Sequence, residues 1–168
     1  GTEQSQIAPI PVILDHVKTK VEIDPADISL TDKQAICNRY NNLILSSRQI
    51  QTSNVRYLDS HGSVYFANTD GSFILQETIF CGISLLAMAR DGMNVQQAYH
   101  SVGDLRGFSN VQHMEQKCEE VTKRAVDLLT AKSVSGGKYT VIADPKLCGV
   151  FVHEAFGHLS EADFIYEN

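Results

Sequence analysis

Three features of the sequence predict an α+β fold, in which an antiparallel β-meander sheet is covered by amphipathic helices. Between Ser53 and Gly103 apolar residues recur with a period of two, and glycine-bearing turns punctuate the stretch. Apolar stripes of helical period flank it, one near residues 31–46 and one near 114–132. At the C-terminal end the apolar run Gly149-Val150-Phe151-Val152 leads into His153-Glu154-Ala155-Phe156-Gly157-His158, a third helix with a polar far side.

Each element has a local cause. Gly1 to Pro11 is polar and proline-punctuated, Val12 to Val17 is a short apolar segment, and Asp24-Pro25 is a turn, so residues 1–29 read as a loosely attached N-terminal segment. Thr31 or Asp32 is suited to cap a helix whose stripe Ile36, Tyr40, Leu43 and Ile44 runs to about Ser46. Turns expected at Ser60-His61-Gly62, Thr69-Asp70-Gly71 and Arg90-Asp91-Gly92 divide the sheet into hairpins. Phe73 to Arg90 is long for one strand, and Gly82 in its middle predicts a bulge or bend. Met114, Cys118, Val121, Ala125, Leu128 and Leu129 form one apolar face of a helix ending near Lys132. Ser135-Gly136-Gly137 breaks the chain, Tyr139 to Ala143 reads as a strand, and Asp144-Pro145 turns toward the last helix.

Composition narrows the functional classes. The chain has 168 residues, enough for one sizeable core, and its net charge of −6 disfavours a nucleic-acid backbone as partner. The longest apolar stretch, Ile79 to Ala89, is shorter than the roughly 20 residues a membrane span needs. Cys37, Cys81, Cys118 and Cys148 are scattered without a C-x-x-C pair, which reads as reduced core thiols in a cytoplasmic protein. His16, His61, His100 and His113 have no partner at ligand spacing and read as exposed or locally bonded. Asp104 and Arg106, in the loop Gly103 to Gly107, read as a solvated turn, with contact to a peptide backbone the sharper alternative.

The chemistry concentrates at the C-terminal motif. Imidazole is the commonest protein ligand of zinc, and a glutamate beside the first ligand is placed to take a proton from a metal-activated water. Here the histidines are five apart, not four. On a regular α-helix a spacing of four separates side chains by about 40°, and five by about 140°. One residue accommodated as a π-bulge would return His153 and His158 to one face, and Gly157 gives the backbone freedom to form it. The alternative is that both are ordinary surface or helix-end histidines. Glu161, three residues after His158, reads first as solvated helix charge, with a third ligand or an acceptor that fixes an imidazole tautomer the sharper alternatives; Asp163 reads as solvated charge too. Cys148 precedes His153 by five residues, and a buried structural thiol is its expected role.

The stretch from Val150 to Asp163 resembles the H-E-A-x-G-H-x-x-E-x-D block of the TldD/PmbA metallopeptidase family. Similarity extends to the segments Asp59 to Gly62, Asn68 to Gly71, Ala89 to Gly92 and Gly137 to Pro145, so most of the chain after about residue 50 is covered. The resemblance implies a cytosolic zinc-dependent peptidase acting on unstructured peptides, with zinc on His153 and His158 and Glu154 as catalytic base. It also implies a dimer, either of like subunits or with a family relative that has lost the motif. Because this chain keeps the motif, it resembles the catalytic type. Family members are much longer and supply a further ligand, a cysteine, from a C-terminal half without counterpart here. Residues 30–168 are therefore expected to be a fragment of a longer metallopeptidase, inactive alone.

The competing expectation is a noncatalytic partner or assembly subunit, whose motif helix is structural or lies at a dimer interface. An edge of the antiparallel sheet is also suited to take an extended peptide as an added strand. Neither membrane contact nor direct nucleic-acid contact is expected.

Overall fold

The computed structural model describes residues 10–163, which divide into two compact units meeting at Ala131/Lys132. The boundary expected from sequence lay at residue 29, and the stretch Gly1 to Pro11 lies mostly outside the described residues.

In the first unit, β1 (Leu14–Lys18), β2 (Ile50–Ala67), β3 (Phe73–Asp91) and β4 (Asn94–Asp104) form one four-stranded sheet. The 19-residue β3 is its spine. On one side β2 runs antiparallel to it along nearly its whole length, from Ile50↔Ala89 to Ala67↔Phe73. On the other, β4 pairs antiparallel with its second half, from Cys81↔Asp104 to Asp91↔Asn94. The expected meander is thus β2–β3–β4, with turns at Gly71 and Gly92, whose φ values of 97° and 57° are cheap only for glycine. β1 adds a parallel pairing that periodicity does not reveal, Leu14↔Phe73 to Lys18↔Glu77.

Two sheet expectations are corrected. Ser60-His61-Gly62 is not a turn: β2 continues through it, pairing with Phe80, Ile79 and Thr78. Gly62 is not among the glycines with positive φ, and an unbroken β3 offers partners to both halves of β2. Gly82 is not a bulge either, since Leu58, Gly82 and Gly103 stay in register across three strands. The register shift lies instead between Ile50 and Thr52. Gly82 serves close approach: a Cβ there would sit 2.9 Å from the Val102 carbonyl oxygen, and one on Gly103 would sit 2.6 Å from the Phe80 ring.

Helix α1 (Leu30–Leu45) is capped two or three residues before the expected positions, because Ser29 accepts from the Asp32 N–H at 3.1 Å. Its stripe Ile36, Tyr40 and Ile44 is buried, as is the face Cys118, Val121 and Ala125 of α2 (Glu115–Leu128). Both join a core with Ile83, Leu85, Ala87 and Ala89 of β3. The buried Tyr40 hydroxyl ties the layers together, donating to the Val111 carbonyl at 3.0 Å and accepting from the Met114 N–H at 3.2 Å.

Beyond the core, Lys33 of α1 reaches Asp59 of β2 at 2.6 Å. Burial alone would raise Asp59, but hydrogen bonds from Lys33 and Tyr57 outweigh it and hold the carboxyl below its usual range. At the loop after β4, Asp104 accepts from the Arg106 N–H at 2.8 Å, and Arg106 also donates to Asn110 at 3.1 Å. The side chains of that loop are engaged with one another.

The second unit carries α3 (Pro145–Val152), a π-helical turn (His153–Gly157) and a 3₁₀ turn (His158–Ser160). Asp144 caps α3, accepting from the Leu147 N–H at 2.8 Å, and Pro145 occupies the first turn where no N–H is needed. The strand expected at Tyr139 to Ala143 is absent among the described residues, since no partner strand pairs with that stretch. In the apolar run before the motif, Val150, Phe151 and Val152 are all exposed.

Candidate metal centre

The π turn decides the geometry of the motif. The His158 N–H donates to the His153 carbonyl, the i→i+5 bond that defines a π-helix, so the extra residue between the histidines is absorbed as the spacing predicts. The imidazoles consequently meet edge to face, with ring centroids 4.5 Å apart. Glu154 lies beside them, its Oε2 3.7 Å from the Nε2 of His158.

One ligating atom each from His153, Glu154 and His158 falls within 4.8 Å of the others. A tetrahedral zinc with bonds of about 2.0–2.2 Å has donor pairs about 3.4 Å apart, so small side-chain rotations close this set around an ion. Two imidazoles and a carboxylate suit a first-row divalent metal by chemistry as well as by distance. Glu161 stands outside this trio, its Oε1 2.7 Å from Nδ1 of His158.

Other sequence candidates fall elsewhere. Cys148 is exposed, its thiol 3.7 Å from the Ala143 carbonyl, which corrects the expectation of a buried structural thiol and leaves it outside the trio. The remaining thiols fit the core reading: Cys81 and Cys118 are buried, Cys37 half-buried, and burial pushes Cys118 up to about 11. His16 contacts Glu77, and His61, now in mid-strand, lies 3.0 Å from Asp24. A cleft of about 570 Å³ between α1 and β2, lined by Lys33, Cys37, Arg56 and Tyr57, contains none of the motif residues. What sequence reasoning misses is less a ligand than a conformation, the 3₁₀ turn that sets Glu161 against His158.

The convergent donors, two imidazoles with a carboxylate at their side, are a set that suits a divalent metal ion. Comparison with known families then narrows the reading: residues 23–132 match the PmbA/TldA metallopeptidase central domain, and the chain belongs to the PmbA/TldD metallopeptidase family. The match ends next to the boundary of the first unit, so it takes in β2, β3, β4, α1 and α2, while β1 precedes it and the motif follows it. A metalloprotease of Synechocystis sp. is 41% identical over 170 positions, covering 100% of this chain and 37% of the relative. One from Methanocaldococcus jannaschii is 34% identical over 158 positions, covering 93% of this chain and 34% of its own length. A Saccharolobus solfataricus protein named zinc metalloprotease TldD homolog is 26% identical over 165 positions, 97% of this chain and 37% of that protein. The chain thus spans little more than a third of the relatives it matches. Among the described residues, no helix is long and apolar enough to cross a membrane.

Proposed function

We propose that the full-length protein is a zinc-dependent peptidase acting on unstructured peptides, with His153 and His158 as zinc ligands and Glu154 as general base. The observation that carries this reading is the π turn, which converges two imidazoles on a carboxylate in a chain of metallopeptidase ancestry. Zinc, when bound, supplies Lewis acidity and lowers the pKa of water to about 7. Glu154 then takes the proton of the attacking water and passes it to the departing amine nitrogen as the peptide C–N bond breaks. His153 and His158, brought to one face by the π turn, would supply the two imidazole ligands.

Catalytic zinc usually takes three protein ligands, and the trio offers two imidazoles once Glu154 is kept as base. The proposal places the third ligand, a cysteine, in the part of the full-length protein outside these 168 residues, so that this chain alone hydrolyses nothing. A dimer, of like subunits or with a family relative, and a cytoplasmic location complete the reading; four unpaired cysteines support a reducing compartment.

The test is hydrolysis of an unstructured peptide by the full-length protein and by Glu154→Gln, with bound metal determined on both. A fall in rate of about 10²–10⁴ with metal retained is expected for the loss of a general base. If both bind metal and neither cleaves, even with a partner subunit present, the protein is a noncatalytic assembly subunit.

A further inference from the structure

We propose that Glu161 is the positioning residue of this metal centre: it holds the hydrogen of His158 on Nδ1 and so turns Nε2 toward the ion. The inference rests on the reading of His153 and His158 as metal ligands, and adds a task for a side chain outside the trio.

The backbone creates the contact. After Gly157 the helix tightens from π to 3₁₀, and in a 3₁₀ turn residues three apart eclipse each other. His158 and Glu161 are such a pair, and the Glu161 N–H closes the turn on the His158 carbonyl at 3.2 Å. Their side chains are thereby stacked at 2.7 Å, Oε1 to Nδ1. An ionised carboxylate can only accept, so the hydrogen of that bond belongs to Nδ1. The lone pair of the neutral ring is then on Nε2, the nitrogen that lies 3.7 Å from Glu154. Free imidazole side chains in water favour the opposite tautomer, so an isolated His158 would present the wrong nitrogen state to a metal. Glu161 is therefore an acceptor behind a ligand, consistent with its place outside the three donors.

The full-length protein, labelled with ¹⁵N at histidine and stripped of metal, gives the first readout. Long-range ¹H–¹⁵N spectra, with His158→Gln to assign the resonance, are expected to show neutral His158 carrying its hydrogen on Nδ1, and to show it moved to Nε2 in Glu161→Ala. Zinc affinity, by competition with a chromophoric chelator, is expected to fall about 10–100-fold in Glu161→Ala. Glu161→Gln, whose amide oxygen still accepts, is expected to stay closer to the parent. Matching circular dichroism and melting curves exclude misfolding as the cause.

His158 with its hydrogen on Nε2 in the parent protein, or unchanged zinc affinity in Glu161→Ala, overturns the proposal. So does a Glu161→Gln variant that falls as far as Glu161→Ala, because the carboxylate would then be binding the ion itself. Equal zinc uptake by the parent and His158→Gln sinks the metal-centre reading separately. The tautomer, read without metal, still decides what Glu161 does to His158.

Discussion

The two units are ordered by different physics. In the first, Leu85, Ile44, Val121 and Cys118 are fully buried and come from β3, α1 and α2, so its order depends on contacts distant in sequence. In α3 and the turns after it no residue is buried, and the geometry of the motif follows from bonds spanning three to five residues. The first unit is held by packing, whereas the local shape of the motif is set by its helical pitch. One should be sensitive to lost volume, the other to lost register.

The largest contrast is therefore expected from truncating one apolar side chain in each unit. Leu85→Ala in the 168-residue chain removes a fully buried side chain and is expected to cost about 2–5 kcal/mol in urea unfolding. Phe151→Ala, at a position 69% exposed, should stay within about 0.5 kcal/mol. Equal costs would break the comparison. Next comes Tyr40→Phe, which leaves the Val111 carbonyl and the Met114 N–H without their partner. A loss of about 1–3 kcal/mol is expected, and a neutral result would show that those groups find other partners.

Register is tested at the motif. One alanine inserted between Ala155 and Phe156 makes the histidine spacing six, about 240° around an α-helix. Zinc affinity of the full-length protein should then fall by at least about tenfold, the scale on which even a ligand's outer partner matters. Deleting Phe156 makes the spacing four, which a plain α-helix keeps on one face, and zinc binding should survive. The reverse order of effects would mean that the π turn is incidental.

The sequence conveys what is periodic or local. The stripe Ile36, Tyr40, Ile44 and the face Cys118, Val121, Ala125 follow from helical repeat, and the turns at Gly71 and Gly92 from glycine's access to positive φ. The π turn is legible because a spacing of five has few other ways to converge. What is hidden depends on distant partners. β1 gains its place from Phe73 to Glu77, and Gly62 stays extended because β3 continues past it, neither of which a local window contains. Tyr139 to Ala143 shows the converse, a strand-like pattern with no partner to pair with. At the site the contact of Glu161 with Nδ1 of His158 is a distance that spacing does not encode.

The smallest expected effect compares one ion pair in each unit. Lys33 and Asp59 join α1 to β2 with side chains 16% and 30% exposed, while His158 and Glu161 lie three residues apart with 44% and 49% exposed. Between the range for surface pairs and that for charged hydrogen bonds, Lys33→Met should cost about 1 kcal/mol at neutral pH. Because Asp59 is held below its usual range, its contribution is complete above the unfolded carboxyl pKa and disappears as pH falls through the folded one. The gap between parent and Lys33→Met in urea unfolding should therefore narrow in acid, and a gap constant from neutral pH to full protonation would assign the loss to packing. Glu161→Gln, by contrast, should leave the unfolding curve in place, since solvent screens an exposed local pair. The His158–Glu161 pair would then matter through the orientation of one imidazole and the Lys33–Asp59 pair through stability, the same division that separates the two units.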